Sequence, residues 1–144
     1  MKKLMIAVCM FFTSIASNVH ADGHGNIKMG IILGFTGPIE SLTPAMAASA
    51  ELAFNEASDS GSLLGGKKIK VERADSTCVD SAAATSAAEG LVSNGVVAIM
   101  GADCSGVTGA IASNVAVPNG VVMISPSATS PGLTTCLLYT SDAA

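Results

Sequence analysis

The stretch IKMGIILG, residues 27–34, is a short and continuous apolar run that ends in glycine. A strand with one face in water alternates apolar and polar residues, whereas a strand covered on both faces does not. The run is also too short for a typical helix. Residues 27–34 therefore predict a strand that is buried on both faces, at the centre of an α/β sheet.

The next segment, TPAMAASAELAFNEASDSG at residues 43–61, has the spacing of a helix. Its apolar residues recur every three or four positions between residues 47 and 57. Thr43 is the predicted N-cap, Pro44 belongs to the first turn and Gly61 ends the helix. Small side chains dominate the segment, which allows a helix to pack close to a sheet.

The alternation of strand and helix continues along the chain, with short connections. The order β-α-β-α-β-α-β predicts an α/β fold with a doubly wound parallel sheet. The further predicted elements are an exposed or edge strand at 67–75, a helix at 80–95 with Asp80 as its cap and Asn94–Gly95 at its end, a buried strand at 96–101, a helix at 107–117 and a buried strand at 120–125.

The beginning of the chain has the layout of a secretory signal peptide. Two lysines precede an apolar run from Leu4 to about Ile15, and Val19 and Ala21 occupy the small-residue positions of a cleavage site. The run is too short to span a bilayer. We therefore expect residues 1–21 to be removed and the mature protein to be exported to the periplasm, where disulfides persist.

The last residues, CLLYTSDAA at 136–144, differ in character from the Ala-, Gly- and Val-rich chain before them. They look like the translation of a transposon-type adapter used in sequencing libraries. We expect residues 136–144 to be a non-native tail, with an ordinary C-terminus as the alternative, and residues 22–135 to be the native mature part.

Composition excludes some classes of partner. The chain has seven basic and eleven acidic residues, and only 3% of its residues are aromatic. Nucleic-acid binding requires a basic surface and often aromatic side chains on which bases stack. We therefore expect no nucleic-acid partner, and no stable membrane insertion once the leader is removed.

Ligands of open parallel sheets bind beyond the carboxyl ends of the strands. The loops to consider are therefore those that follow the four predicted strands. They are FTGPIESL at 35–42, STCV at 76–79, ADCSG at 102–106 and PSATSPG at 126–132.

These loops lack the groups that catalysis needs. A Cys104 or Ser105 nucleophile requires a positioned base, usually histidine. The only histidines are His20, in the leader, and His24, near the start of the mature chain. We therefore expect no enzyme and no cofactor.

Metal and phosphate sites are not expected either. Cys78 and Cys104 have no further thiolate or imidazole nearby, and lone loop aspartates such as Asp103 are more often caps than ligands. GSLLGGKK at 61–68 nearly matches a phosphate-binding loop, but Lys68 replaces the hydroxyl residue and the segment precedes a strand instead of a helix. It predicts a turn before an exposed strand.

Two roles remain for the loops that carry Cys78 and Cys104: a disulfide between the two cysteines and a ligand-binding cradle. One role does not exclude the other. Cys78 and Cys104 are the only cysteines between the leader and the tail. In a 2-1-3 strand order, the strands before them lie ~9.6 Å apart, whereas a disulfide needs Cα atoms within ~7 Å. Both loops must therefore lean over the end of the first strand, and we expect that they do.

Ser105 lies at the predicted start of a helix, where free N–H groups and the helix dipole favour an anion. Ser127 and Thr129 occur in a loop stiffened by Pro126 and Pro131. Their hydroxyls and the loop backbone offer groups for an ammonium and for a carboxylate. A capping or turn role is the alternative for each of these residues.

Three of these segments resemble a known family: GFTGPIE at 34–40, GADCS at 101–105 and MISPSATSPGLT at 123–134. They are similar to periplasmic substrate-binding proteins of branched-chain amino-acid ABC importers, the leucine/isoleucine/valine-binding type, from about Asn26 to Thr135. The resemblance implies a two-lobed type I periplasmic-binding fold. Residues 22–135 would then be the N-terminal part of ligand-binding lobe 1, with a disulfide between Cys78 and Cys104.

The resemblance also implies the roles of the site residues. Ser105 and Thr129 would hold the α-carboxylate and the α-ammonium of an amino acid, and backbone groups at Ser127 and Ala128 would complete the cradle. The sequence departs from some members at Leu42, where an aromatic residue covers the ligand side chain. Leucine, another aliphatic amino acid or an amide therefore all remain possible ligands.

The expected function is that of an extracytoplasmic solute receptor that delivers its ligand to a membrane permease. The alternative is the ligand-binding domain of a sensory receptor that uses the same cradle. An exported α/β protein without a ligand is the third possibility. Since a second lobe would supply half of the contacts, we expect the chain alone to bind an amino acid weakly or not at all.

Overall fold

The structure, a computed structural model, describes residues 25–136. One parallel sheet has the strand order β2-β1-β3-β4. Its strands are β1 (Ile27–Leu33), β2 (Ile69–Asp75), β3 (Ala98–Gly101) and β4 (Val122–Ile124), and the helices are α1 (Thr43–Asp59), α2 (Ser81–Ser93), α3 (Ser105–Ile111) and α4 (Gly132–Cys136). The predicted α/β class is confirmed. The leader predicted at 1–21 and all but the first residue of the predicted tail lie outside the described residues.

Strand β1 is the centre of the fold, as predicted. It pairs with β2 on one side and with β3 on the other. Ile31 and Leu33 face α1, where they pack with Ala47. Ile32, between them, faces α2 and α3 on the opposite side and packs with Ala84. The continuous apolar run is therefore explained by helices on both faces.

Close approach of α2 to the sheet depends on Gly30 in β1. A Cβ atom at Gly30 would lie 3.0 Å from Leu91, 3.1 Å from Val96 and 3.2 Å from Ile99. The glycine therefore leaves room for these three side chains to pack against the centre of the sheet.

The two edge strands differ from each other. Strand β2 lies at an edge, as predicted, with the side chain of Lys70 exposed, but its burial does not alternate strictly, because Glu72 is half-buried and Arg73 is exposed. The prediction that residues 120–125 form a buried strand was wrong. Val122 is 62% exposed and Ile124 is 68% exposed, because no strand among the described residues pairs with the outer side of β4. An apolar groove of about 660 Å³, lined in part by Val121 and Leu133, lies beside it.

The ends of α2 follow the prediction, whereas the start of α1 does not. The Asp80 carboxylate accepts the N–H groups of Ala82 and Ala83. At α1 the N-cap is Leu42, and the predicted cap Thr43 is the first helical residue. Because Thr43 lies one residue inside the helix, no side chain caps this end. The Thr43 hydroxyl is buried and donates to the carbonyl of Gly34, 3.2 Å away.

The remaining connections are short. Helix α3 begins at Ser105 and continues into a wider π-helical turn at Ala112–Ala116. The glycine-rich segment at 61–68 is a turn before β2, as predicted, and Lys68 donates to the carbonyl of Ser58. Within residues 25–136, no helix has both the length and the hydropathy needed to cross a bilayer.

Substitution of Gly30 by leucine is expected to destabilise the fold by about 1–3 kcal/mol, because the new side chain overpacks the interface with α2. The control is Gly90→Ala in α2, where a Cβ atom meets nothing within 4 Å. There we expect stabilisation by about 0.5–1 kcal/mol. Urea unfolding measures both. Equal stability of the two variants would contradict the packing described for β1.

Candidate functional site

The loops at the carboxyl edge of the sheet meet around one buried carboxylate. Asp103 is 3% exposed. Its Oδ2 accepts the N–H of Gly34, after β1, at 2.8 Å, and its Oδ1 accepts the hydroxyl of Ser76, after β2, at 3.3 Å and the N–H of Cys104 at 3.0 Å. The backbone carbonyl of Asp103 accepts the hydroxyl of Ser127, after β4, at 2.9 Å. All four strand ends are therefore joined through Asp103.

The predicted disulfide between Cys78 and Cys104 is present, with a Cα–Cα distance of 5.3 Å. The two loops lean over the end of β1, as the strand spacing requires. Gly34 makes this possible, because a Cβ atom there would lie 3.2 Å from the Cβ of Cys78 and 3.4 Å from Oδ2 of Asp103.

Ser105 and the loop after β4 lie side by side. The Ser105 hydroxyl oxygen accepts the N–H groups of Thr129 and Ser130, each at 3.1 Å. Because both contacts use the oxygen as acceptor, the hydroxyl proton of Ser105 is left for another acceptor. The hydroxyl of Thr129 is exposed and has no hydrogen-bond partner among residues 25–136.

The loop after β4 is shaped by Ser125, which sequence reasoning did not single out. Its hydroxyl donates to the carbonyl of Ala102 and accepts the N–H of Ala128 at 2.9 Å and that of Ser127 at 3.4 Å. The N–H groups of Ser127 and Ala128 thus point inward. Among the side-chain hydroxyls of this loop, those of Ser127 and Ser130 make hydrogen bonds within residues 25–136, and that of Thr129 makes none.

The loop after β1 is held at the same edge by Asp75. Its carboxylate accepts the hydroxyl of Thr36 at 2.6 Å and the N–H of Thr77 at 2.8 Å. Partial burial raises the pKa of Asp75, but these hydrogen bonds outweigh it, and the net pKa lies below its usual value of 3.8. Leu42, at the end of the loop, is 57% exposed.

Among the described residues there is no group of three His, Cys, Asp or Glu side chains that could hold an ion. Cys78 and Cys104 are joined in the disulfide, and the carboxylates of Asp75 and Asp103 accept N–H and O–H donors.

Removal of the disulfide by a Cys78→Ala/Cys104→Ala double substitution should lower the free energy of unfolding by about 3 kcal/mol, because the bond closes a loop of 26 residues. Urea unfolding with and without dithiothreitol measures the effect. The reductant should destabilise the parent and leave the double variant unchanged. A double variant as stable as its parent would contradict the prediction.

The stability contributed by Asp75 should depend on pH. Because the folded pKa is lowered, the contribution is complete above pH 3.8 and is lost as the pH falls through the folded pKa. The difference in unfolding midpoint between the parent and Asp75→Asn should therefore shrink in acid. Thr36→Val, which lacks the 2.6 Å hydrogen bond, should weaken this pH dependence. A constant difference down to about pH 3 would be the opposite result.

Comparisons with known proteins agree with one another. A family model described as periplasmic binding protein matches residues 26–140. A Leu/Ile/Val-binding protein of Rhizobium johnstonii is 34% identical over 123 residues, which are 85% of this chain and 33% of that protein. The chain therefore spans about a third of the length of the relatives it matches.

Solved structures give the same result. The isoleucine complex of a branched-chain amino acid transporter substrate-binding protein from Streptococcus pneumoniae superposes with a TM-score of 0.71 at 35% identity, over 80% of this chain and 32% of that one. A solute-binding protein of Rhodopseudomonas palustris in complex with benzoate gives 0.64 at 27% identity, over 76% and 29%. These neighbours are solute-binding proteins and not enzymes.

Proposed function

Since the chain belongs to the periplasmic binding protein family, we propose that it forms the N-terminal part of lobe 1 of an extracytoplasmic amino-acid receptor. Such a receptor captures its ligand between two lobes, closes by a hinge motion and delivers the ligand to the permease of an ABC importer. The supporting observation is the pairing of the Ser105 hydroxyl with the loop that carries Thr129. Residues 22–135 are the proposed native mature part, located in the periplasm.

The Ser105 hydroxyl is suited to a carboxylate. Two N–H groups donate to its oxygen, which polarises the O–H bond and directs its proton away from Thr129 and Ser130. A carboxylate oxygen that approaches from the open side would accept this proton in a charge-assisted hydrogen bond. In the proposed complex, Ser105 therefore binds the α-carboxylate.

The loops favour a zwitterion over a simple anion. The four loops at the carboxyl edge contain no lysine or arginine, and the chain has a net charge of −4. A bound carboxylate therefore meets neutral donors, and an ammonium on the same ligand would offset its charge. In this proposal the Thr129 hydroxyl accepts from that ammonium, beside the backbone carbonyl groups of Ser127 and Ala128, whose N–H groups bind Ser125. An aliphatic amino acid such as leucine, isoleucine or valine fits this chemistry better than benzoate does.

An NMR titration of the ¹⁵N-labelled chain tests the proposal. L-Leucine should shift the amide signals of residues 105–107 and 127–130, with a dissociation constant of about 1 mM or weaker, because one lobe supplies only part of the contacts. Benzoate at the same concentration should shift them less, since it carries no ammonium.

The variant Ser105→Ala should abolish the leucine shifts. The control Ser49→Ala, which removes an exposed hydroxyl from the middle of α1, should leave them unchanged. Identical shifts in the parent and in Ser105→Ala would refute the proposed role of Ser105, and the absence of any shift at about 100 mM leucine would refute binding by this lobe.

A further inference from the structure

We infer that Asp103 is a positioning residue: its buried carboxylate sets the location of Ser105 relative to the loop after β4, and through it the affinity of the site, without touching the ligand. This inference rests on the proposed function, because it concerns the same site. It assigns a binding role to a residue that the sequence offers only as a possible cap.

The two carboxylate oxygens face different parts of the chain. Oδ2 accepts from Gly34, at the end of the rigid central strand. Oδ1 accepts from the N–H of Cys104, the residue directly before Ser105. The carboxylate therefore connects the end of β1 to Cys104, the N-cap of α3, and any rotation of the side chain would break one contact or the other.

The same residue also holds the opposite half of the site. The backbone carbonyl of Asp103 accepts the Ser127 hydroxyl, two positions before Thr129 in the loop after β4. A shift of Asp103 would therefore move Ser105 and this loop together or separate them. The hydrogen bonds from Thr129 and Ser130 to Ser105 depend on that alignment.

The hydrogen-bond partners of the Asp103 side chain are all neutral groups. None of the ion pairs among residues 25–136 includes this carboxylate. A buried charge without an ion-pair partner is costly, and it is tolerated where directed hydrogen bonds from several donors are needed. An amide of the same shape cannot replace it, because asparagine would turn an NH₂ group toward one of the two backbone donors.

The variant Asp103→Asn tests the inference in the full chain. Its control is Ser58→Ala, which also removes a buried side-chain acceptor of a backbone N–H, that of Ile69, at the amino ends of the strands. Chemical shifts and temperature coefficients of the Thr129 and Ser130 amide protons report their hydrogen bonds to Ser105, and Ser105→Ala supplies the values for lost bonds.

In Asp103→Asn, both amide signals should move toward the Ser105→Ala values, and the initial slope of the leucine titration should fall at least about threefold. Ser58→Ala should lose stability with neither change. If Asp103→Asn loses stability but keeps the parent amide signals and leucine slope, the residue is merely structural and the inference is wrong.

Two further outcomes are decided in the same experiment. If the parent shows no leucine response, the proposed function fails, and the amide signals alone still decide whether Asp103 positions the loop. If Asp103→Asn does not fold, Ser76→Ala decides, because it removes only the donor to Oδ1 at 3.3 Å. A smaller amide shift of the same sign supports the inference, and unchanged signals overturn it.

Discussion

The hydrogen bonds of one buried carboxylate hold the carboxyl edge of this sheet together. Asp103 receives N–H and O–H donors from segments that are far apart in sequence, and the disulfide at Cys104 ties the next residue to the loop after β2. In a medium of low polarity such bonds are strong only when every donor is aligned. The buried contacts of Asp103 therefore fix where the four loops meet, and exposed hydrogen bonds such as those of Asp75 and Ser105 complete their arrangement.

The strands and helices that could be predicted from the sequence are those marked by a local pattern of residues. The run at 27–34 identified the central strand, the spacing of small apolar residues identified α1, and Asp80 identified the start of α2. These signals are local, because a strand covered on both faces or an N-cap imposes its residue types over a few positions. The Cys78–Cys104 pair was also predictable, since each alternative use of a cysteine required residues that the chain lacks.

Long-range contacts were not predictable in this way. Gly34 and Asp103 are 69 positions apart, and nothing in the pattern shows that their loops meet. Thr43 looked like an N-cap because its residue type fits, but it lies one residue inside the helix, and its hydroxyl donates to the carbonyl of Gly34. The roles of Ser105 and Thr129 came from family resemblance. The part that Ser125 plays beside them emerges only from the folded loop.

The two edge strands of the sheet differ in charge, and the exposed strand β4 is the uncharged one. At the opposite edge, β2 carries Lys70, Glu72 and Arg73, and charges of this kind discourage a foreign strand from adding. Strand β4 has no charged residue, and its side chains Val122 and Ile124 are exposed on one face, whereas Met123 packs against the core on the other. Of the two edge strands in the described part of the chain, β4 is therefore the one whose side chains do not oppose the addition of a further strand. A strand that extended the sheet, from the same polypeptide or from a neighbouring molecule, would pair with β4, next to Val122 and Ile124.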